Sequence, residues 1–548
     1  MHLAPYPARR LRLAAVAALA VAVAAAVPVA AANSSGFRTS QSPMLVDLAG
    51  GPSINVEALI TVGETLPGGY LFEAIPDGIA FQTRGQGRVD VFVNHETSTV
   101  PFPWAFTGEG TAKARPTAAN SQNDFVNSEL SRLVINAHSG GILSGRKVIE
   151  SSENYHRFCS NYLATEAEGF DRPILFTNEE ANAVANREGV SFPTFAGGSR
   201  PEQLGVVVAY DPQTGRRAPI YGMGRHNHEN SVAIPGFSQL LVASGDDTFD
   251  TSSASAPNSQ LYFYTAPDTD AIWADTGQLW GLKVDDTAVT TYYTWPAGAT
   301  RSVSLVPIPK SVAQGDQAAL ESYSNANGVF RFLRIEDIAY DRSDPTIVYL
   351  ADSGRGSGAA PNGRIWKLDL AESASGTITG QLSVLVDGDG AGSKAPGAIH
   401  QPDNLETTPG FLYVTEDPSS GNQFNPGEAN ATNARIWRVP TANPAAMQPI
   451  LAVDQSADGG PTDVDGFSNA RMGAWEASGI IDASAAFGPG AFLVDVQAHS
   501  LWVAREVGPD LHGDPNDSNV AARTRPDGIP DWTYKREGGQ LLLIRISG

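Results

Sequence analysis

Residues 174–180 read ILFTNEE, an apolar run that ends abruptly in polar and acidic residues. The same unit occurs six times along the 548-residue chain, each time with polar residues at the end of the apolar run. The six units cover residues 91–96, 174–180, 240–247, 347–353, 411–417 and 492–499. A second apolar run follows most of them, and a shorter apolar segment with acids at its start precedes several. Such repetition indicates one supersecondary unit that stacks on its own copies.

This repeat predicts an all-β fold, a six-bladed β-propeller with loop insertions. One blade cannot bury both of its faces, so the ring has to form as a unit. The 55 glycines and 37 prolines suit many tight turns, and no long stretch repeats apolar residues at helical spacing. A pair of β-sandwiches would also explain the strands, but it does not explain the recurring polar endings.

The N-terminus predicts an export signal, so we divide the chain into a signal peptide, residues 1–32, and a single propeller domain, residues 33–548. Three arginines within residues 9–12 precede an uncharged run that ends in small residues at 30–32. The arginine pair permits a twin-arginine route, and a general secretory signal fits as well. We therefore expect a secreted or periplasmic protein without stable membrane insertion after cleavage. An uncleaved anchor is the alternative, because the run is barely long enough to span a bilayer.

Charge and cysteine content limit the partners of the chain. The formal net charge is −22, and the one cysteine, Cys159, cannot form an intramolecular disulfide. We interpret Cys159 as an inert residue. An acidic surface repels nucleic acid and attracts cations, so an anionic substrate would need local metal ions or arginines. The charge argues against nucleic acid as a partner, and we expect a monomer that acts on a small substrate.

Acidic strand ends are the main candidates for chemistry. In a propeller they converge at the central channel, and unpaired buried carboxylates cost several kcal/mol each, so they require cations. Many oxygen ligands suit calcium, whereas histidine with fewer ligands suits iron, manganese or zinc. A single strand-end acid is most often a turn residue, and only the recurrence favours a site. The candidate metal ligands are Glu96, Glu179, Glu180, Glu229, Glu336, Asp337, Asp403, Asn404, Glu416 and Asp417.

Arginines and histidines beside these acids form a second set of candidates. Arg334 lies two residues before Glu336, so strand alternation places both on one side, and we take this pair as the catalytic candidates. The arginine would either clamp a phosphoryl oxygen or neutralise its acidic neighbour. For Arg225 we favour the salt bridge. His95 and His228, each directly followed by glutamate, are candidates for binding or supporting a metal.

The ordered set of motifs resembles the PhoX-type alkaline phosphatases, from about residue 68 to residue 499. The motifs are Asn94-His95-Glu96, Thr177-Asn178-Glu179-Glu180, Gly224-Arg225, His228-Glu229, Arg334-Ile335-Glu336-Asp337, Pro402-Asp403-Asn404-Leu405 and Thr415-Glu416-Asp417. The resemblance implies a six-bladed propeller, calcium and iron ions, twin-arginine export and hydrolysis of phosphate esters. It also implies roles for single residues: Glu179, Glu229 and Glu336 as metal ligands, Arg334 as a phosphate contact, and Asp403 and Glu416 as calcium ligands.

The chain departs from this family pattern at Asn178, where the resemblance implies a cysteine that helps to bind iron. Asparagine is a hard oxygen ligand, so Asn178 favours several calcium ions over thiolate-bound iron.

The leading hypothesis is therefore an exported metal-dependent phosphatase that hydrolyses phosphate monoesters. Two alternatives stay open. One is a calcium-dependent lactonase or phosphotriesterase-type propeller, which uses few ligands around one catalytic calcium. The other is a non-catalytic propeller that calcium stabilises as a binding platform.

Overall fold

The structure is a computed structural model that describes residues 35–548 apart from several internal stretches. The description does not cover residues 49, 74, 97–106, 109–110, 113–127, 154, 183, 186–201, 249–256, 357, 393–394, 396, 418–431, 455–474, 499–501, 506–519, 525–529, 536–537 and 548. The predicted signal peptide, residues 1–32, lies outside the described part. Within that part, no helix has the length and apolar character needed to cross a membrane.

The described residues form an all-β structure with a propeller-like arrangement of antiparallel sheets. In spatial order, the first sheet contains Pro76–Arg84, Arg88–His95, Glu129–Asn136 and Ile142–Ile149. The second contains Phe158–Ala164, Ile174–Glu179, Val207–Tyr210 and Arg217–Ile220. The third contains His228–Ile234, Leu240–Asp246, Leu261–Ala266, Gln278–Val284, Thr300–Ile308, Ile378–Asp387, Arg364–Glu372, Ile347–Asp352 and Ile335–Tyr340. The fourth contains Pro402–Thr408, Phe411–Glu416, Arg435–Pro440, Gln448–Val453 and Leu45–Asp47. The fifth contains Glu476–Asp482, Ala491–Ala498, Gly538–Ile546 and Ile54–Thr61.

The other elements are short strands, α-helices and 3₁₀ turns. Short strands pair at Thr107–Gly108 with Thr111–Ala112, at Val184–Ala185 with Glu202–Gln203, and at Trp502–Arg505, Pro530–Lys535 and Val520–Thr524. The α-helices are Thr269–Trp273, Lys310–Ala313, Gln317–Asn327 and Ser484–Phe487. The 3₁₀ turns are Ser151–Glu153, Glu166–Glu168, Tyr221–Met223, Tyr292–Thr294, Asp389–Ala391 and Pro444–Ala446.

One strand at an edge of each sheet, and one at each end of the nine-stranded sheet, lies at the centre of the molecule. We call these the inner strands. They are Pro76–Arg84, Phe158–Ala164, His228–Ile234, Ile335–Tyr340, Pro402–Thr408 and Glu476–Asp482. Each inner strand contacts the next one along the chain, and the last contacts the first, so they form a closed ring.

The apolar core lies between neighbouring sheets. Phe92 of the first sheet shares a buried cluster with Leu175 and Val208 of the second, and similar clusters lie at the other junctions. Within the nine-stranded sheet, Phe263 and Trp366 share one cluster although they lie in different halves of that sheet. Packing between faces therefore leaves the ring centre to polar residues, as the sequence repeat predicts.

Close backbone contact and strand exchange hold the ring together. A Cβ atom on Gly78 would lie 2.2 Å from the backbone nitrogen of Asn161 on the next inner strand, so only glycine fits there. The early strand Ile54–Thr61 pairs with Gly538–Ile546 near the end of the chain. Pairing of the two ends of the chain in one sheet closes the ring through hydrogen bonds.

Candidate metal centre

The same irregularity in strand pairing occurs at the start of every inner strand. Over a stretch where the partner strand advances by two residues, the inner strand advances by three, so each inner strand has a β-bulge with one extra residue. The affected spans are 76–79, 158–161, 228–231, 335–338, 402–405 and 477–480. A bulge of this kind bends a strand and changes the direction of its side chains. In five of these spans the second residue belongs to the candidate site: Asp77, Cys159, Glu229, Glu336 and Asp403.

These bulge residues meet the ends of the neighbouring strands in one buried group, which we call the central cluster. Its members are Asp77, Cys159, Glu180, Glu229, Asp247, Glu336 and Asp403, all of them buried. They form three triads, within each of which the ligand atoms lie within 4.8 Å of one another. The triads are Asp77 with Cys159 and Glu229, Glu180 with Glu229 and Asp247, and Glu229 with Glu336 and Asp403. Glu229 therefore links all three.

Burial and mutual repulsion make the ionised form of these carboxyl groups unfavourable. Burial, followed by the charges of Glu180 and Glu336, raises the pKa of Glu229 well above its usual range. Burial is also the main reason why the pKa of Asp77 rises to about 6. For Glu336 burial raises the pKa even though Arg334 opposes the shift. Positive charge at the centre would relieve both effects, which is what a bound cation supplies.

Glu229 has the surroundings of a metal ligand. Its Oε1 accepts a hydrogen bond from Ser160 Oγ at 3.0 Å. Its Oε2 is buried and has no hydrogen-bond partner among the described residues. A buried carboxylate oxygen without a donor is costly, so this atom has the capacity to bind a cation.

Cys159 belongs to the central cluster, although the sequence suggested an inert residue. Its buried Sγ donates to Asp77 Oδ2 at 2.7 Å and lies 3.9 Å from Glu96 Oε1. Burial and the surrounding carboxylates raise the pKa of the thiol. In the absence of a cation the sulfur is therefore a neutral donor, and a cation would favour the thiolate.

Three other strand-end acids are saturated by donors from their own sheets, and we call them the tie carboxylates: Glu179, Asp352 and Glu416. Glu179 accepts from the backbone nitrogens of His156 and Gly205, both at 2.9 Å. Glu416 accepts from the backbone nitrogen of His400 at 2.9 Å and from Trp437 Nε1 at 2.7 Å. Thus the structure does not bring Glu179 and Glu416, two of the predicted metal ligands, into the central triads.

Acids that directly follow a buried residue at a strand end lie nearer the centre than that residue does. Glu180 belongs to a central triad, whereas its neighbour Glu179 ties backbone amides. Asp417 follows Glu416 and shares a hydrogen bond with Glu476. Burial, followed by the charge of Asp417, raises the pKa of Glu476 well above its usual range. Glu96 follows His95 and approaches Cys159. The second residue of each pair therefore faces the centre, because successive side chains of a strand point to opposite sides.

A belt of hydrogen bonds surrounds the cluster and contains three more of the predicted residues. Asp337 Oδ1 accepts from Asn230 Nδ2 at 2.6 Å, and its Oδ2 accepts from the backbone nitrogen of Leu405 at 2.8 Å. Asn404 Nδ2 donates to Ser160 Oγ at 2.8 Å, and Asn178 Nδ2 donates to Ser160 O at 2.8 Å. Asp337 connects neighbouring inner strands, Asn404 reaches an inner strand that is not its neighbour, and Asn178 bonds the inner strand of its own sheet; none of the three belongs to a central triad.

The candidate histidines are neutral residues with both ring nitrogens engaged. His95 contacts Glu73 O and Ser131 Oγ, both at 2.9 Å, and burial lowers its pKa to about 3. His228 contacts Ser244 Oγ at 2.7 Å and Gly224 O at 3.1 Å, and burial lowers its pKa to about 4. A ligand histidine needs a ring nitrogen for the metal, so this arrangement indicates a structural role.

The two candidate arginines are placed differently. Arg334 Nε and Nη2 each lie 2.8 Å from an oxygen of Asp247, and Nη2 also lies 2.8 Å from Glu336 Oε1. This guanidinium therefore neutralises two members of the central cluster. Arg225 donates to the carbonyl of Gln203 and stacks on the ring of Tyr221.

Sequence reasoning did not select four residues that the structure places in or beside the site: Asp77, Arg157, Asp247 and Glu476. The fragments Asp77-Gly78 and Asp246-Asp247 were visible as polar strand ends, but isolated acids there are usually turn residues. The sequence position of Asp247 could have indicated its role, because Asp247 follows Asp246 at a strand end in the same way as Glu180 follows Glu179. Nothing in the sequence around Arg157 indicated its position.

No family model matches the chain, and no curated protein matches it. Among solved structures, the NanB sialidase of Streptococcus pneumoniae is similar with a TM-score of 0.36 and 7% identity, over 92% of this chain and 70% of that one.

Proposed function

We propose that the protein is a metal-dependent hydrolase of phosphate monoesters whose central cluster binds several cations. The observation that carries the proposal is Glu229, a buried carboxylate with one unpartnered oxygen that belongs to three potential ligand triads. The tie carboxylates accept hydrogen bonds from donors near their own sheets, whereas the carboxylates of the central cluster lie mainly beside one another. Such a group favours binding of positive charge.

The donor atoms fit more than one kind of cation. The triad of Glu229, Glu336 and Asp403 offers only carboxylate oxygens, which suit calcium. The triad of Asp77, Cys159 and Glu229 adds one sulfur, which suits a borderline metal such as iron, manganese or zinc. Asn178 in place of a cysteine therefore does not exclude iron, since the cluster contains a thiol at another position, Cys159. We propose several calcium ions together with one transition-metal ion.

The residues of the chain would hold and orient the substrate. Bound cations would supply Lewis-acid stabilisation of phosphoryl oxygens and a more acidic bound water. Arg334 holds Asp247 and Glu336 in place through hydrogen bonds, so it limits the repulsion between carboxylates. Burial of the cluster excludes bulk water and strengthens every charge interaction within it.

The propeller that carries this site has six blades in our proposal. The closed ring of inner strands supports this number, and so do the apolar clusters between successive sheets. In this interpretation the nine-stranded sheet is two blades, joined at their outer edges by Thr300–Ile308. The proposal also includes export to a secreted or periplasmic location as a monomer, which the basic and apolar start of the sequence and the net charge of −22 support.

The direct test is hydrolysis of a simple aryl phosphate by the purified full chain, before and after treatment with a chelator. We expect activity that the chelator removes and that added metal restores, with more than one metal ion per chain by elemental analysis. A lactone and a phosphotriester serve as parallel substrates. Activity on either of these without phosphatase activity, or phosphatase activity that is indifferent to chelation, would contradict the proposal.

A further inference from the structure

Arg157 lies at the edge of the central cluster in an unusual backbone conformation. It directly precedes the inner strand Phe158–Ala164, and its φ is +41°, a left-handed value that is rare outside glycine. The structure keeps this conformation because the carbonyl of Arg157 accepts a hydrogen bond from the backbone nitrogen of Glu180 at 2.9 Å. Gln401, directly before another inner strand, has the same conformation with a φ of +44°, so this backbone geometry belongs to the repeat of the ring and fixes where the Arg157 side chain starts.

The side chain of Arg157 spans acids from two different sheets. Its Nε lies 3.8 Å from Glu96 Oε2, and its Nη1 lies 3.7 Å from Glu180 Oε2. Both distances exceed those of hydrogen-bonded ion pairs, so these contacts are electrostatic and not directional. The nearby acids keep the guanidinium charged, since they raise its pKa above the usual value despite burial.

A comparison with Arg334 shows why the two arginines have different roles. The Arg334 side chain is 8% exposed, and its Nε and Nη2 form 2.8 Å bonds to carboxylates of the cluster. The Arg157 side chain is 27% exposed and has long ion pairs to Glu96 and Glu180. A partly exposed guanidinium whose ion pairs to Glu96 and Glu180 are long can replace these two contacts with short bidentate bonds to an incoming oxyanion. Arg334 would have to give up existing bonds of that quality.

We propose that Arg157 is the residue that binds the oxyanion of the substrate, and that Arg334 serves to hold the metal-binding carboxylates. This inference rests on the proposed phosphatase function and deepens it. An arginine two residues before Cys159 would bring a tetrahedral anion to the mouth of the cluster, beside the acids Glu96 and Glu180. Positive charge at that point also opposes the acidic field of the chain, which otherwise repels phosphate.

The test compares Arg157→Gly and Arg157→Lys in the metal-loaded full chain. Glycine adopts a φ of +41° without strain, so this variant keeps the backbone conformation and removes the whole side chain with its positive charge. We expect Arg157→Gly to raise the KM for an aryl phosphate and the inhibition constant for inorganic phosphate by about tenfold to a hundredfold. Arg157→Lys should recover part of the loss, because lysine keeps the charge without the bidentate geometry. Calorimetry with inorganic phosphate measures the same binding without turnover.

Arg217→Ala is the matched control, since Arg217 lies on the outermost strand of the same sheet and pairs with Glu153. It should leave both constants unchanged. Unchanged phosphate binding in Arg157→Gly overturns the inference, and so does a loss of metal ions in both Arg157 variants. If the wild-type chain hydrolyses aryl phosphate and the Arg157 variants have the same KM and the same inhibition constant for phosphate as the wild type, only this inference fails. If the wild type neither hydrolyses nor binds phosphate, the proposed function fails as well.

Discussion

Glu179 and Glu180 are neighbours in the chain and both are buried, yet their surroundings differ. Glu179 accepts hydrogen bonds from the backbone nitrogens of His156 and Gly205, so the sheet itself stabilises its charge. Glu180 forms a triad with Glu229 and Asp247, and burial, followed by the charge of Asp247, raises its pKa well above the usual range. The tie carboxylates thus hold the strands that present the central cluster. Two consecutive glutamates therefore serve stability and metal binding separately.

The largest expected effect comes from removing the charge of a tie carboxylate. Glu416→Gln puts an amide group opposite the donors Arg435 and Trp437, which now bond to Glu416. Loss of one partner of a buried ion pair costs about 3–5 kcal/mol of unfolding free energy. Denaturant unfolding of the metal-loaded protein measures this loss. Folded material should keep the metal content of the wild type.

The neighbouring variant Asp417→Asn is the matched control for that experiment. It removes the same charge one residue later, at a position where the charge of Asp417 disfavours the ionised form of Glu476. We expect the stability of the metal-free protein to stay the same or rise. Equal destabilisation by both variants would mean that the two kinds of acid do not differ in role.

Glu229→Gln should affect activity more than stability. It removes the carboxylate that all three triads share, while an amide of the same shape keeps the packing. We expect kcat/KM for aryl phosphate to fall by about a hundredfold to a thousandfold, or about 3–4 kcal/mol, together with metal content by elemental analysis. The control is Glu179→Gln, which should lose stability and keep its metal. The distinction is wrong if Glu179→Gln loses metal ions while Glu229→Gln retains them.

Much of this arrangement could be predicted from the sequence, and the limits have physical causes. The repeating strand ends predicted a propeller-like all-β structure, because alternation and turn chemistry are local properties. The convergence of Glu180, Glu229, Glu336 and Asp403 followed from the same repeat. The bulges could not be foreseen, and one extra residue in a strand decides which side chain faces the centre. Glu179 and Glu416 lie on the partner strands of the bulges, where alternation places the first acid of each pair against its own sheet, so these two predicted ligands lie in no central triad.

The pH dependence of stability tests a property that buried acids of the cluster, the belt and the ties share, because burial raises the pKa of the tie carboxylate Asp352 to about 7 as well. Burial raises the pKa of both Asp77 and Asp337 to about 6, well above that of an unfolded aspartate. A raised pKa stabilises the fold below about pH 4, and the contribution is lost as pH rises through 6. Asp77 alone accounts for up to about 3 kcal/mol, since one pKa unit corresponds to about 1.4 kcal/mol.

The metal-free protein should therefore melt at a lower temperature at pH 8 than at pH 5. The metal-loaded protein should show a smaller fall, because a cation takes the place of the proton at Asp77 but not at Asp337, which lies in no central triad. Thermal unfolding in chelator and in added metal checks both statements. A melting temperature of the metal-free protein that rises over this interval would contradict the charge repulsion derived for the central cluster.

The smallest expected effect tests which member of the cluster selects the metal. Cys159→Ser keeps a donor for Asp77 Oδ2 and removes only the soft ligand. We expect the ratio of transition metal to calcium to fall by about tenfold, with stability little changed, because a hydroxyl is a poor ligand for iron or zinc. Elemental analysis of protein loaded in a mixture of metals measures the ratio. Asn178→Ser is the control, since Asn178 Nδ2 bonds the backbone carbonyl of Ser160 and lies in no central triad. If Asn178→Ser changes the metal ratio and Cys159→Ser does not, metal selection belongs to the hydrogen-bonded belt and not to the sulfur in the cluster.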